Sequence, residues 1–161
     1  MERQSAGIKS DNMEIITITD TELLIQTRFD FFAGMGHPVE ECKEEMQASL
    51  RRYFESRTDK DFVVLGVKVN DEIVSIGYLT INEIPPNRNA VNGLAGTLLN
   101  VLTYPQHRGQ GYAAALIEAV KAEARRRNLS FIDLYATEQG TPLYEKTGFI
   151  PISYKAMRLK L

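Results

Sequence analysis

The stretch TLLNVLTYPQHRGQGYAAALIEAVKAEARRR, residues 97–127, holds the change of period that decides the fold. Thr97 to Thr103 is a short apolar run, the pattern of a buried strand. Gly111 to Arg127 instead places Ala113, Leu116, Ile117, Val120 and Ala124 on one stripe. Glu118, Lys121, Arg125 and Arg126 fall mostly off it, as in an amphipathic helix. Ser130 to Ala136 (SFIDLYA) then reads as the next strand. A connection of this length is too long for a hairpin, so the two strands are expected to be parallel, joined by a right-handed crossover.

Upstream, Met13 to Ile18 alternates loosely and reads as a first strand. Thr19-Asp20-Thr21-Glu22 has the spacing of a capping box, and a helix is expected after it. Gly34 to Pro38 is a break. Pro38 suits the first position of a second helix reaching about Arg57, with Cys42 on its apolar side. Asp61 to Val69 and Glu72 to Ile81 flank the turn signal Asn70-Asp71, which predicts an antiparallel hairpin. A long loop covers 84–96. After the parallel unit a short helix ends at Gly148, and Ile152 to Leu161 alternates like a last strand. The expected order is β-α-α-β-β-β-α-β-α-β. This is an α/β (α+β) arrangement: a mixed, mostly antiparallel sheet with helices on both faces. Residues 1–12 read as a flexible N-terminus and 13–161 as a single domain.

The turn Pro105 to Ala113 is the richest local signal. Unpaired N–H groups at a helix start carry partial positive charge, glycine admits an anion close to the backbone, and Arg108 adds charge-assisted hydrogen bonds. Together these features describe a pyrophosphate cradle. No GxxxxGK[ST] occurs and no GxGxxG starts here, so neither a P-loop nor a dinucleotide fingerprint fits. A plain tight turn opening a helix is the alternative.

Arg108-Gly109-Gln110-Gly111-Tyr112-Ala113 matches the Q/R-x-x-G-x-G/A signature of the GNAT superfamily of N-acetyltransferases, and Tyr144-Glu145-Lys146-Thr147-Gly148-Phe149 resembles its second hallmark. The resemblance covers about residues 97–149, with the two motifs in the expected order. It implies the acyl-CoA N-acyltransferase fold, with acetyl-CoA as co-substrate and a primary amine as acceptor. It also implies fourth and fifth strands that splay apart, with pantetheine on the main chain of Val101, Leu102 and Thr103. The pyrophosphate would lie on the N–H groups of Gly109, Gln110, Gly111, Tyr112 and Ala113, beside Arg108. Thr137 stands where many relatives carry a cofactor-contacting Asn; helix capping is an equal reading. Tyr144 is implied as the acid that protonates the departing thiolate, against the plainer reading of a core aromatic. No general base is visible. Glu83 and Glu138 are candidates, and both also read as solvated acids. A non-catalytic acyl-CoA-binding sensor or regulatory domain is the alternative function.

The remaining observations narrow the class. The chain has 161 residues, 43% hydrophobic and 25% charged, with a net charge of −2, which argues against binding nucleic acid through bulk charge. Cys42 is the only cysteine, so no internal disulfide and no CxxC metal pattern exist. The start, MERQSAGIKSDNME, lacks the apolar run of a secretion signal, and no run approaches a bilayer span. The expectation is a cytoplasmic protein without metal or membrane partner, acting on a small-molecule or peptide amine; a homodimer is compatible with the sequence. Arg125-Arg126-Arg127 reads as positive charge favoured at a helix C-terminus. Asn100 is out of place in an apolar strand and needs partners if buried.

Overall fold

Along Phe62–Val69 (β2) the side chains alternate between two cores. Val63, Leu65, Val67 and Val69 enter one hydrophobic cluster and Phe62 and Val64 the other. A strand buried on both faces reads as a continuous apolar run, and this is the sequence of a central strand. The computed structural model describes residues 12–161, so the flexible segment expected over 1–12 lies, apart from Asn12, outside the described residues.

β2 lies between Met13–Thr17 (β1) and Glu72–Glu83 (β3), antiparallel to both. The β2–β3 turn places Asn70 at φ 49° and Asp71 at φ 66°, the two left-handed residues of a type I′ hairpin, which Asn and Asp tolerate. Leu94–Thr103 (β4) pairs antiparallel with β3, and Ile132–Asp133 (β5) pairs parallel with β4, giving the order β1-β2-β3-β4-β5.

Thr21–Gly34 (α1) and Lys43–Arg57 (α2) cover one face, around Leu24, Ile25, Phe54 and Tyr78. Tyr112–Arg126 (α3) covers the other, with Leu116, Ile117 and Val120 fully buried. Burying such side chains stabilises by about 1.5–3 kcal/mol each. Thr141–Lys146 (α4) follows β5, and Leu143 and Tyr144 pack on the α3 cluster.

Several expectations need correction. Asp20, not Thr19, caps α1, its Oδ1 accepting from Leu23 N at 2.7 Å. Pro38 does not open α2; a 3-10 turn at Glu40–Cys42 intervenes, and Cys42 is exposed rather than core. The fifth strand shrinks from 130–136 to two residues, because β4 turns away from it. The alternating segment 152–161 forms no strand: it has no partner edge, and Ile152 and Tyr154 are 65% and 85% exposed. The loop before β4 is shorter than read, since β3 extends to Glu83 and β4 begins at Leu94.

Candidate active site

The site starts from a defect in the sheet. Gly96 pairs with Ile132 and Thr97 with Asp133, and the parallel ladder ends there. From Leu98 to Thr103, β4 remains bonded to β3 but has no strand on its β5 side. Its outward N–H and C=O groups therefore need other partners. Within the same stretch Tyr78 lies opposite Leu99 and Ile76 opposite Leu102, so Asn100 and Val101 share the single position facing Gly77. Asn100 sits at φ 54°, and this bulge bends β4 where it parts from β5.

β4 leads through a 3-10 turn at Pro105–His107 into the glycine turn. Gly109 and Gly111 have φ 74° and 85°, and a Cβ at either would meet nothing within 4 Å. The space in front of the turn is open, and the left-handed backbone explains why glycine stands at both places. Gly111 is the N-cap of α3 and no side chain caps it, which leaves the first-turn amides of α3, including those of Tyr112 and Ala113, directed outward. Arg108 Nε donates to Thr103 O at 3.1 Å, tying the turn to the end of β4, and Tyr112 OH donates to Gln110 Oε1 at 3.3 Å. His107 Nε2 comes within 3.2 Å of Glu72 Oε1 without the alignment of a hydrogen bond.

Tyr144 projects from α4, its ring edge-on to Phe149 at 5.8 Å between centroids. It is half-buried, and burial raises its phenol above the ordinary value. It lines a cavity of about 290 Å³ with Ile132, Leu134, Thr141 and Phe149. A larger cavity of about 850 Å³ opens against Leu129, Phe131, Ile150 and Tyr154. Neither cavity is lined by Leu98 to Thr103 or by the glycine turn.

Thr137 is committed locally. Its Oγ1 accepts from Gly140 N at 3.1 Å and its carbonyl accepts from Thr141 Oγ1 at 2.9 Å, so it caps the turn into α4. Glu83 pairs with Leu94, six residues from the Gly77 position, or roughly 20 Å along the strand. Glu138 is exposed in the turn before α4.

Residues 24–149 match the model of the acetyltransferase (GNAT) family. The chain belongs to that family. A predicted acetyltransferase from Clostridium acetobutylicum, solved with acetyl-CoA, superposes with a TM-score of 0.79 at 26% identity, covering 92% of this chain and 96% of that one. A GCN5-related N-acetyltransferase from Ralstonia eutropha JMP134 gives 0.78 at 24%, over 92% and 99%. Glucosamine-6-phosphate N-acetyltransferase from Arabidopsis thaliana shares the fold at 0.69 and 15%, over 92% and 98%. No curated protein matches by sequence. This GNAT chain is thus an acyltransferase with the acyl-CoA N-acyltransferase fold. Among its described residues no helix is long and apolar enough to cross a membrane, and no three His, Cys, Asp or Glu side chains group as metal ligands.

This GNAT chain also carries a polar cluster on the α1 side of the splay that sequence reading missed. Arg28 Nη1 donates to Asn100 Oδ1 at 2.9 Å. Tyr104 OH donates to Asp30 Oδ2 at 2.7 Å, and burial together with that bond raises its phenol. Tyr78 OH donates to Leu24 O at 2.9 Å and lies 2.7 Å from Thr27 Oγ1; burial pushes it up to about 12. The only local signal was Asn100, a polar residue inside an apolar run.

Proposed function

We propose that the protein transfers an acetyl group from acetyl-CoA to a primary amine by direct attack on the thioester. The observation that carries this reading is the union of two features. The free edge of β4 from Leu98 to Thr103 runs directly into the open, uncapped turn at Gly109–Gly111. A strand edge suits the amides of pantetheine, and bare amides at a helix start suit a pyrophosphate. The Clostridium relative with acetyl-CoA supports the choice of co-substrate.

In this reading Val101, Leu102 and Thr103 offer main-chain partners to pantetheine. The N–H groups of Gly109 to Ala113 hold the pyrophosphate, with Arg108 beside them. The amine nitrogen bonds to the thioester carbon, and N–H groups of β4 stabilise the oxyanion. The C–S bond then breaks, Tyr144 gives its proton to the sulfur, and the nitrogen loses one to solvent. Thr137 Oγ1 accepts from Gly140 N, which leaves its O–H as the one group it could offer the cofactor.

The test is release of free CoA from acetyl-CoA across a panel of amines, beside a direct titration with CoA. Binding with turnover on any amine is expected. Binding without turnover across the panel would instead support the sensor reading.

A further inference from the structure

Two groups of donors meet at the bulge of β4 with too few acceptors. Arg28 is half-buried, and its one hydrogen bond is the 2.9 Å donation from Nη1 to Asn100 Oδ1. Asn100 is 4% exposed, and its Nδ2 is buried without a partner among the described residues. Arg28 forms no ion pair with a described carboxylate. Asp30, two residues on, is taken by Tyr104 OH and by Gln26 Nε2 at 2.7 and 2.8 Å. The rings of Phe32 and Phe31, 4.4 and 5.7 Å from Arg28 Cζ, stabilise the cation but replace no in-plane acceptor.

A guanidinium partly withdrawn from water without a counter-charge is costly to hold, and burial lowers its pKa accordingly. It stays charged at neutral pH and still has unused N–H groups in a planar fork. The unmet side-chain groups at this point are all donors, so what completes them is an acceptor with negative charge. One cation balances one charge, and the planar two-oxygen acceptor that fits the fork is a carboxylate. The place matters as much as the chemistry. Asn100 lies three residues beyond Thr97, where β4 has just separated from β5, on the face covered by α1.

We propose that Arg28, positioned by Asn100, binds a carboxylate of the acceptor, so that the amine this protein acetylates also bears a carboxylate. The proposal rests on the acetyl-transfer reading for the meaning of the site, but its test does not require turnover. Binding of the twenty amino acids and a set of dipeptides to the protein saturated with CoA is measured by calorimetry, each beside its carboxamide. At least one acid is expected to bind about tenfold or more tightly than its amide, the scale of a charged hydrogen-bonded pair. In Arg28→Gln that preference disappears while CoA affinity is unchanged. Arg28→Lys, which keeps the charge and loses the fork, retains part of it.

Amides binding as tightly as acids throughout, no acid binding at all, or a preference that survives Arg28→Gln would each overturn the proposal. Failure of the acetyl-transfer reading shows differently, as absence of CoA binding or of thiol release from acetyl-CoA with every amine. In that event the acid–amide comparison is read on the protein without CoA.

Discussion

Thr97 and Asp133 are the last residues joined across β4 and β5, and beyond them the β5 side of β4 has no neighbouring strand. Edge amides without partners exchange readily with solvent and are protected when a ligand pairs with them. Saturating CoA should slow hydrogen–deuterium exchange in the segment Leu98 to Thr103 and in the first turn of α3. β2, paired on both sides by β1 and β3, should change little. Protection confined to the cavity beside Ile150 and Tyr154 would move the cofactor to the other side of β5.

Gly111 separates the demands of the fold from those of the ligand. A Cβ there meets no protein atom within 4 Å, but φ is 85°. Gly111→Ala should cost roughly 1–2 kcal/mol through the left-handed backbone alone, or about 2–8 °C in Tm for a chain of this size. Its affinity for CoA should fall further than stability accounts for if, as proposed, phosphate meets the main chain where the new methyl stands, and Gly111→Val should be worse. Gly34→Ala is the control: it too has open space, without a positive φ, and should leave both Tm and CoA affinity intact or slightly raise Tm. Calorimetric titration of the folded Gly111 variants with unchanged CoA affinity would dismiss the turn as a phosphate site.

Glu123 on α3 accepts from Arg126 Nε and Nη2 at 2.8 and 2.6 Å and from Arg127 Nε at 2.6 Å. The Arg126 hydrogen bond, reinforced by Arg127, holds its carboxyl down at about 2. Arg127 Nη1 in turn donates to Lys60 O, fastening the end of α3 to the approach to β2. A carboxyl depressed below its unfolded value of about 4.3 contributes stability above that value and loses it as pH falls toward the native one. The Tm difference between wild type and Glu123→Gln should therefore be full at pH 6–7 and shrink between about pH 5 and 2. A gap that stays constant across this range would mean the pair contributes nothing through charge.

The sequence disclosed what depends on local period and backbone type. β4, the glycine turn and α3 were legible because a strand period gives way to a helical one at residues that only glycine fills comfortably. The hairpin was legible from Asn70-Asp71, two residues that tolerate the left-handed backbone of its turn. Segment 152–161 was misread because alternation shows that a strand would have one apolar face, but not that an edge exists to receive it. The capping-box spacing pointed to Thr19, but the chain enters α1 one residue later, and Asp20 caps it. Arg28 meeting Asn100 spans 72 positions and joins a helix to a bulge, and no local pattern encodes such a contact.

The remaining prediction concerns the leaving group. Tyr144 lies on α4, half-buried, with its ring edge against Phe149 and a cavity of about 290 Å³ beside it. Burial raises its phenol, so at neutral pH the hydroxyl keeps its proton and is a hydrogen-bond donor for a departing sulfur. Tyr144→Phe preserves the ring and its packing and removes that proton. General acid catalysis is worth about 10²–10⁴-fold, so kcat should fall by that range wherever chemistry limits turnover. Acetyl-CoA affinity should hardly change, because in the proposed mechanism the hydroxyl acts as charge develops on sulfur, whereas ground-state binding is assigned to the strand edge and the glycine turn. Steady-state kcat with a saturating amine, read beside a titration with acetyl-CoA, separates the outcomes. Unchanged kcat would remove Tyr144 from the chemistry, and weakened acetyl-CoA binding with normal kcat would make it a wall of the channel rather than its acid.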